Sequence, residues 1–224
     1  MSDLLPAIEI ETAPNPTHAV IWMHGLGADG SDFVPVVPEL GLPDTLAVRF
    51  VFPHAPAIPV TCNGGYVMPA WYDILSFDEA GRQADIPGIT KSREAIRALI
   101  ARENARGVPT DRIVLAGFSQ GGAIAYTTAL THPQTLAGVI ALSTYLPSPK
   151  LVMTEFDPAN AATPVFAAHG TDDEIVPVTL GAQARDFIVA LGQPVTWQTY
   201  QGMPHSVCIE EIVDIGAWLR ERFA

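Results

Sequence analysis

Gly117-Phe118-Ser119-Gln120-Gly121 decides how this chain is read, because the apolar run Ile113-Val114-Leu115-Ala116 leads into it and Gly122-Ala123-Ile124-Ala125 leads out of it. A short apolar run bounded by turn and polar residues is what a strand buried on both faces looks like. The small residues beyond the serine let a helix leave a sharp turn and pack closely on the sheet. A Gly-x-Ser-x-Gly pentapeptide in that strand–turn–helix context is a nucleophile elbow, which projects its serine at the end of a strand. A serine hydroxyl is a weak nucleophile until a base takes its proton, so Ser119 demands a histidine and an orienting acid elsewhere in the chain.

Working outward, apolar strand-like runs at 7–11, 19–23, 48–52, 113–118, 138–142, 165–168 and 195–200 alternate with helical patterns at 91–106, 120–131, 180–191 and 210–222. This alternation predicts an α/β fold of three layers, a mainly parallel central sheet with helices on both faces. At 224 residues and 48% apolar content, one domain spanning residues 1–224 is the expectation. Two stretches break the alternation, 55–85 and 145–164, both rich in Pro, Gly and polar residues. They read as long loops shaping the entrance to a site. The first carries Val67, Met68, Trp71, Tyr72, Ile74, Leu75 and Phe77, enough apolar surface to line an acyl pocket, with Met68, Trp71 and Leu75 as the substrate-binding candidates.

In chains built round such an elbow, the acid and then the base follow the serine. Of six histidines, only His169 and His205 lie far enough beyond Ser119. His169 closes a strand and precedes Gly170, which suits a residue that shapes the next turn. His205 lies in Gly202-Met203-Pro204-His205-Ser206, between the last strand and the last helix, where a base belongs. The acid should come from Thr171-Asp172-Asp173-Glu174, and spacing alone does not rank Asp172 against Asp173. Charge developing on a substrate carbonyl needs preorganised donors. The backbone N–H of Gln120 supplies one, and that of Leu26, in the His24-Gly25-Leu26-Gly27 turn after an earlier strand, supplies the other.

The net charge of -12, with only 12 Lys and Arg, argues against binding nucleic acid or an anionic bilayer. Cys62 and Cys208 lie far apart without metal-ligand spacing, which suits a reducing compartment. The first residues lack a basic, long-apolar secretion signal, and no run approaches the length of a membrane span. These features predict a cytoplasmic protein without stable membrane insertion.

The stretches Val20-Ile21-Trp22-Met23-His24-Gly25-Leu26-Gly27, Asn63-Gly64-Gly65-Tyr66, Ala70-Trp71-Tyr72-Asp73, Gly117-Phe118-Ser119-Gln120-Gly121-Gly122, Ala141-Leu142-Ser143, the segment 169–177 and His205 together carry a resemblance. The chain resembles the small serine esterases grouped as phospholipase/carboxylesterase or acyl-protein thioesterase-like, within the α/β-hydrolase superfamily. The resemblance places the acid three residues after the glycine of the His-Gly turn, which is Asp173. It also implies an esterase without metal or organic cofactor, frequently a homodimer, with the Trp71 loop near the acyl site. The expected activity is that of a serine carboxylesterase on short- to medium-chain acyl esters through an acyl-Ser119 intermediate. The alternative is an acyl-protein thioesterase or lysophospholipase, and the distant one a catalytically silent binding protein of the same fold.

Overall fold

The computed structural model describes residues 4–75 and 84–224. Its strands are β1 Ala7–Glu11, β2 His18–Met23, β3 Val48–Pro53, β4 Ala57–Val60, β5 Tyr66–Pro69, β6 Ile113–Phe118, β7 Gly138–Leu142, β8 Val165–Gly170 and β9 Val195–Tyr200. The α-helices are α1 Ile86–Ala105, α2 Gln120–Leu130, α3 Pro149–Glu155, α4 Val178–Ala190 and α5 Ile209–Arg222. Seven strands form the central sheet in the order β1-β3-β2-β6-β7-β8-β9. All neighbours run parallel except the edge pair β1 and β3. This is the α/β-hydrolase architecture.

Strands β6 and β7 are apolar along their whole length, and β2 and β8 are so apart from His18 and His169, because both faces are covered. Ile113 and Leu115 of β6 enter one apolar cluster with Ile96 of α1, Ala123 of α2, Val152 of α3 and Ile188 of α4. Val114 and Ala116, pointing the opposite way, enter a second cluster with Val37 and Leu40 of the 3-10 helix Val34–Leu40 and Ile215 and Leu219 of α5. Alternation within one strand thus divides four helices from one, and the three layers follow.

The strands predicted from the sequence recur with ends moved by at most two residues. The stretches read as long loops are more structured than that reading. Residues 57–60 and 66–69 pair as an antiparallel two-stranded sheet, and α3 occupies residues 149–155, with the Ser148 hydroxyl accepting the Leu151 N–H. Helix α1 starts five residues before the expected 91, because Asp85 caps it by accepting the Gly88 N–H at 3.0 Å. Pro87 beside it suits a first turn, where no N–H is needed. Phe77 lies outside the described residues.

Glu211, in the first turn of α5, is fully buried, and its carboxyl oxygens have no well-formed hydrogen bond among the described residues. Burial, with Asp214 adding to it, pushes its pKa from 4.5 up to about 8. The folded protein therefore keeps this proton where the unfolded chain has lost it. The resulting stability is full below about pH 4.5 and lost as pH rises through about 8. Glu211→Gln should flatten this dependence: between pH 5 and 9 the wild-type Tm should fall by several degrees more than that of the variant, from a linked free energy of a few kcal/mol. Parallel thermal melts check it, and equal slopes would dismiss the role of Glu211.

Candidate active site

The turn from β6 into α2 puts Ser119 at φ 52° and ψ −118°, a left-handed conformation that costs a non-glycine residue about 1–3 kcal/mol. Its neighbours hold it there. The Ser119 N–H donates to Leu142 O at 2.9 Å, and Ser119 O accepts the Thr144 hydroxyl at 2.6 Å and the Ala123 N–H at 3.1 Å. A Cβ on Gly117 would stand 2.3 Å from the Gly121 carbonyl, and one on Gly121 would stand 2.3 Å from the carbonyl oxygen of Met23. The two glycines of the pentapeptide are thus demanded by the closeness of the backbones.

The segment between β9 and α5 brings the His205 imidazole over this turn, its ring centroid 4.7 Å from that of Phe118. Its Nε2 lies 3.0 Å from Ser119 Oγ and its Nδ1 2.7 Å from Asp173 Oδ2. A carboxylate at Nδ1 requires a proton there, which leaves the Nε2 lone pair to accept from the serine hydroxyl. Asp173 is buried, and its other oxygen accepts the Ile175 and Val176 N–H groups at 3.0 and 2.8 Å. Asp172 is exposed and accepts the Thr171 hydroxyl instead. Of the two carboxylates that sequence spacing left unranked, the fold brings Asp173 to the histidine.

His169 does not reach the serine. It is buried, with Nε2 2.8 Å from Val176 O and 3.4 Å from Asp173 Oδ2. Burial is the largest influence on this ring and lowers its pKa. The neutral ring, protonated on Nε2, ties the acid-bearing turn together.

The 24–27 turn lies against the elbow: a Cβ on Gly25 would stand 3.2 Å from the Phe118 ring and 3.6 Å from Ser119 Cβ. Leu26 and Gln120 both line the cavity that opens at Ser119, and neither backbone N–H donates to any described residue. Two free amides beside a hydroxyl–imidazole–carboxylate line can receive the charge of a tetrahedral intermediate.

The cavity holds about 780 Å³. Leu75 lines it, whereas Met68 and Trp71, the other two substrate-binding candidates, do not. Trp71 is buried with its indole N–H on a backbone carbonyl. Met68 lies beside Gly27, its sulfur 3.5 Å from Asn63 Nδ2. The wall that sequence reasoning missed comes from α4, where Leu180, Ala184 and Phe187 face the cavity, whereas Tyr145 and Leu146 belong to the 145–164 stretch read as shaping the entrance. The spacing of the three α4 residues, four and then three, marks one helical face and was the available signal.

Both cysteines are free and half-buried, and burial raises both thiols above their ordinary range. Neither lines the cavity. Among the described residues no group of three or more His, Cys, Asp or Glu is placed to hold a metal ion, and no helix is long and apolar enough to cross a membrane.

A family model described as phospholipase/carboxylesterase matches residues 6–222. The chain is 42% identical over 227 residues to a protein from Neurospora crassa named acyl-protein thioesterase 1, covering 98% of this chain and 90% of that one. The crystal structure of Arabidopsis thaliana SOBER1 is similar with a TM-score of 0.87 at 30% identity, over 92% of this chain and 99% of that one. That of Zea mays acyl-protein thioesterase 2 is similar with a TM-score of 0.85 at 25% identity, over 98% and 99%.

Proposed function

We infer, on the premise that this chain belongs to the phospholipase/carboxylesterase family of serine hydrolases, that within its esterase and thioesterase chemistry it acts on acyl thioesters with chains longer than the short to medium range. Ser119 Oγ attacks the acyl carbonyl while His205 Nε2 takes its proton, and Asp173 stabilises the imidazolium that forms. The N–H groups of Leu26 and Gln120 receive the oxyanion. His205 returns the proton to the departing thiol, then draws one from water to release the acyl group from Ser119. All of this is proton transfer and carbonyl addition by the chain's own groups.

The observation that carries the reading is the 780 Å³ cavity at Ser119, lined by Ile74, Leu75, Leu146, Leu180 and Phe187. It stands in the upper part of the usual range for ligand pockets, roughly 300–1,000 Å³. The relative named acyl-protein thioesterase 1 supports a thioester. The two unpaired cysteines support work in the reducing cytoplasm.

Matched S-acyl and O-acyl substrates of increasing chain length test the proposal. Burial is worth about 0.8 kcal/mol per methylene, so kcat/KM should rise about two- to fourfold per added methylene until the chain outruns the cavity. Thioesters should lead oxygen esters at each length. A maximum at four to six carbons, falling beyond, would return the protein to short-chain ester hydrolysis. A lysophospholipid cleaved faster than any thioester would move it to lipid hydrolysis.

A further inference from the structure

Trp71 is 2% exposed, His24 1% and Gln120 2%, and the three form one hydrogen-bonded assembly, with Gln120 at the cavity and Trp71 and His24 behind it. The Trp71 indole N–H donates to His24 O at 2.9 Å. The Ala55 N–H donates to His24 Nε2 at 3.1 Å, so that nitrogen carries no proton and the ring is protonated on Nδ1. Nδ1 therefore donates to Gly25 O, 2.7 Å away. Burial, the largest influence on this imidazole, pushes its pKa down and keeps it neutral. On the other side, the Trp71 backbone N–H donates to Gln120 Oε1 at 2.8 Å and Gln120 Nε2 donates to Tyr72 O at 2.7 Å. The Ser92 hydroxyl fixes Trp71 O from behind.

These bonds fall on two consecutive carbonyls, those of His24 and Gly25. In a trans peptide the C=O and N–H point in opposite directions across a rigid plane. Holding Gly25 O thus aims the Leu26 N–H, and holding His24 O fixes the plane before it. The second donor, Gln120 N–H, belongs to the residue whose side chain grips the Trp71 backbone.

We propose that Trp71 and His24 are positioning residues for the oxyanion site, with Trp71 as the tie that sets the Leu26 and Gln120 N–H groups at a fixed separation. This rests on the reading of those two amides as the oxyanion donors. Trp71 then serves transition-state geometry without touching the acyl chain.

Trp71→Phe keeps a large apolar ring and removes the indole N–H. It should lower kcat about 10- to 100-fold, less than the loss of a whole donor, which costs about 100- to 1,000-fold, with KM nearly unchanged. An alkyl trifluoromethyl ketone, whose hemiketal oxyanion mimics the intermediate, should bind more weakly by the same factor. The matching alkyl alcohol, which forms no oxyanion, should bind as before. His24→Ala should behave similarly, and His24→Asn, whose amide can still reach Gly25 O, should recover about tenfold of the loss. Trp71→Phe with unchanged ketone affinity, or with ketone and alcohol weakened alike, would overturn the proposal. If Trp71→Phe fails to fold, the His24 pair decides: no recovery by Asn overturns it. Leu26→Pro removes the donor itself and separates the two claims. Full activity there refutes the oxyanion reading, whereas a slow Leu26→Pro beside an unimpaired Trp71→Phe refutes the tie alone.

Discussion

Ser119→Ala is expected to lower kcat on an acyl thioester by about 10⁵- to 10⁶-fold, the scale seen when a triad nucleophile is removed, while Tm stays within about two degrees. The size follows from the surroundings of Ser119. Among the described residues lining the cavity Ser119 alone pairs a hydroxyl with an imidazole, and the thiols of Cys62 and Cys208 are raised by burial and lie elsewhere. What should remain is the proposed oxyanion site acting on water, a residual acceleration of about 10³- to 10⁴-fold over the uncatalysed reaction. Stability should hold because alanine meets the backbone at φ 52° with the same strain as serine. Ser119→Gly makes a sharper control: equally inactive, it should melt higher, since glycine adopts a positive φ freely. Kinetics and melts on the three proteins test the pair of expectations, and wild-type turnover in Ser119→Ala would remove the serine from the mechanism.

Asp173→Asn should cost about 10⁴-fold in kcat, the order measured for the equivalent change in other serine hydrolases, although it alters a single atom. Oδ2 faces His205 Nδ1 and His169 Nε2, and Oδ1 faces the Ile175 and Val176 N–H groups. An amide must set its NH₂ against donors on one side or the other. Turned toward His205, it forces the proton onto Nε2, which then donates to Ser119 and cannot accept from it. Turned the other way, it breaks the turn that carries it. Asp172→Asn, on an exposed carboxylate outside this network, should leave kcat within about twofold. Similar losses in the two variants would undo the assignment of the acid.

The central strands were legible because strands covered on both faces are continuous apolar runs, and 113–118 and 138–142 match to the residue. The pairing of Ser119 with His205 was legible because elbow and chain order constrain both. The pair β4 and β5 was not, since Pro59, Gly64, Gly65 and Pro69 mark turns in any local reading and Pro is poor evidence for a strand. Spacing alone left Asp172 and Asp173 unranked and the resemblance favoured Asp173; the physical ground, a turn that delivers two amides to one carboxylate, lay in the fold. Trp71 was read as a pocket wall because a large aromatic in a loop serves pocket or anchor equally well. Its deciding partner, His24 O, is 47 residues away in sequence, a separation that carries no local pattern.

Strands β2 and β6 lie side by side at the middle of the sheet, and the chain leaves them in opposite directions. From β2 it passes through the 3-10 helix Val34–Leu40, on the face shared with α5, to β3 on one side. From β6 it passes through α2, on the other face, to β7 on the other side. Where winding reverses in this way the two connections part and a crevice opens beyond the strand ends, a topological switch point. Leu26 follows β2 and Gln120 opens the helix after β6, so both proposed donors stand on the lips of that crevice. The proposed seat for the oxyanion is therefore a property of the winding order, laid down before any side chain is chosen. Length and sequence at residues 55–75 and 145–149 can drift toward other acyl groups while the seat itself stays where the topology put it.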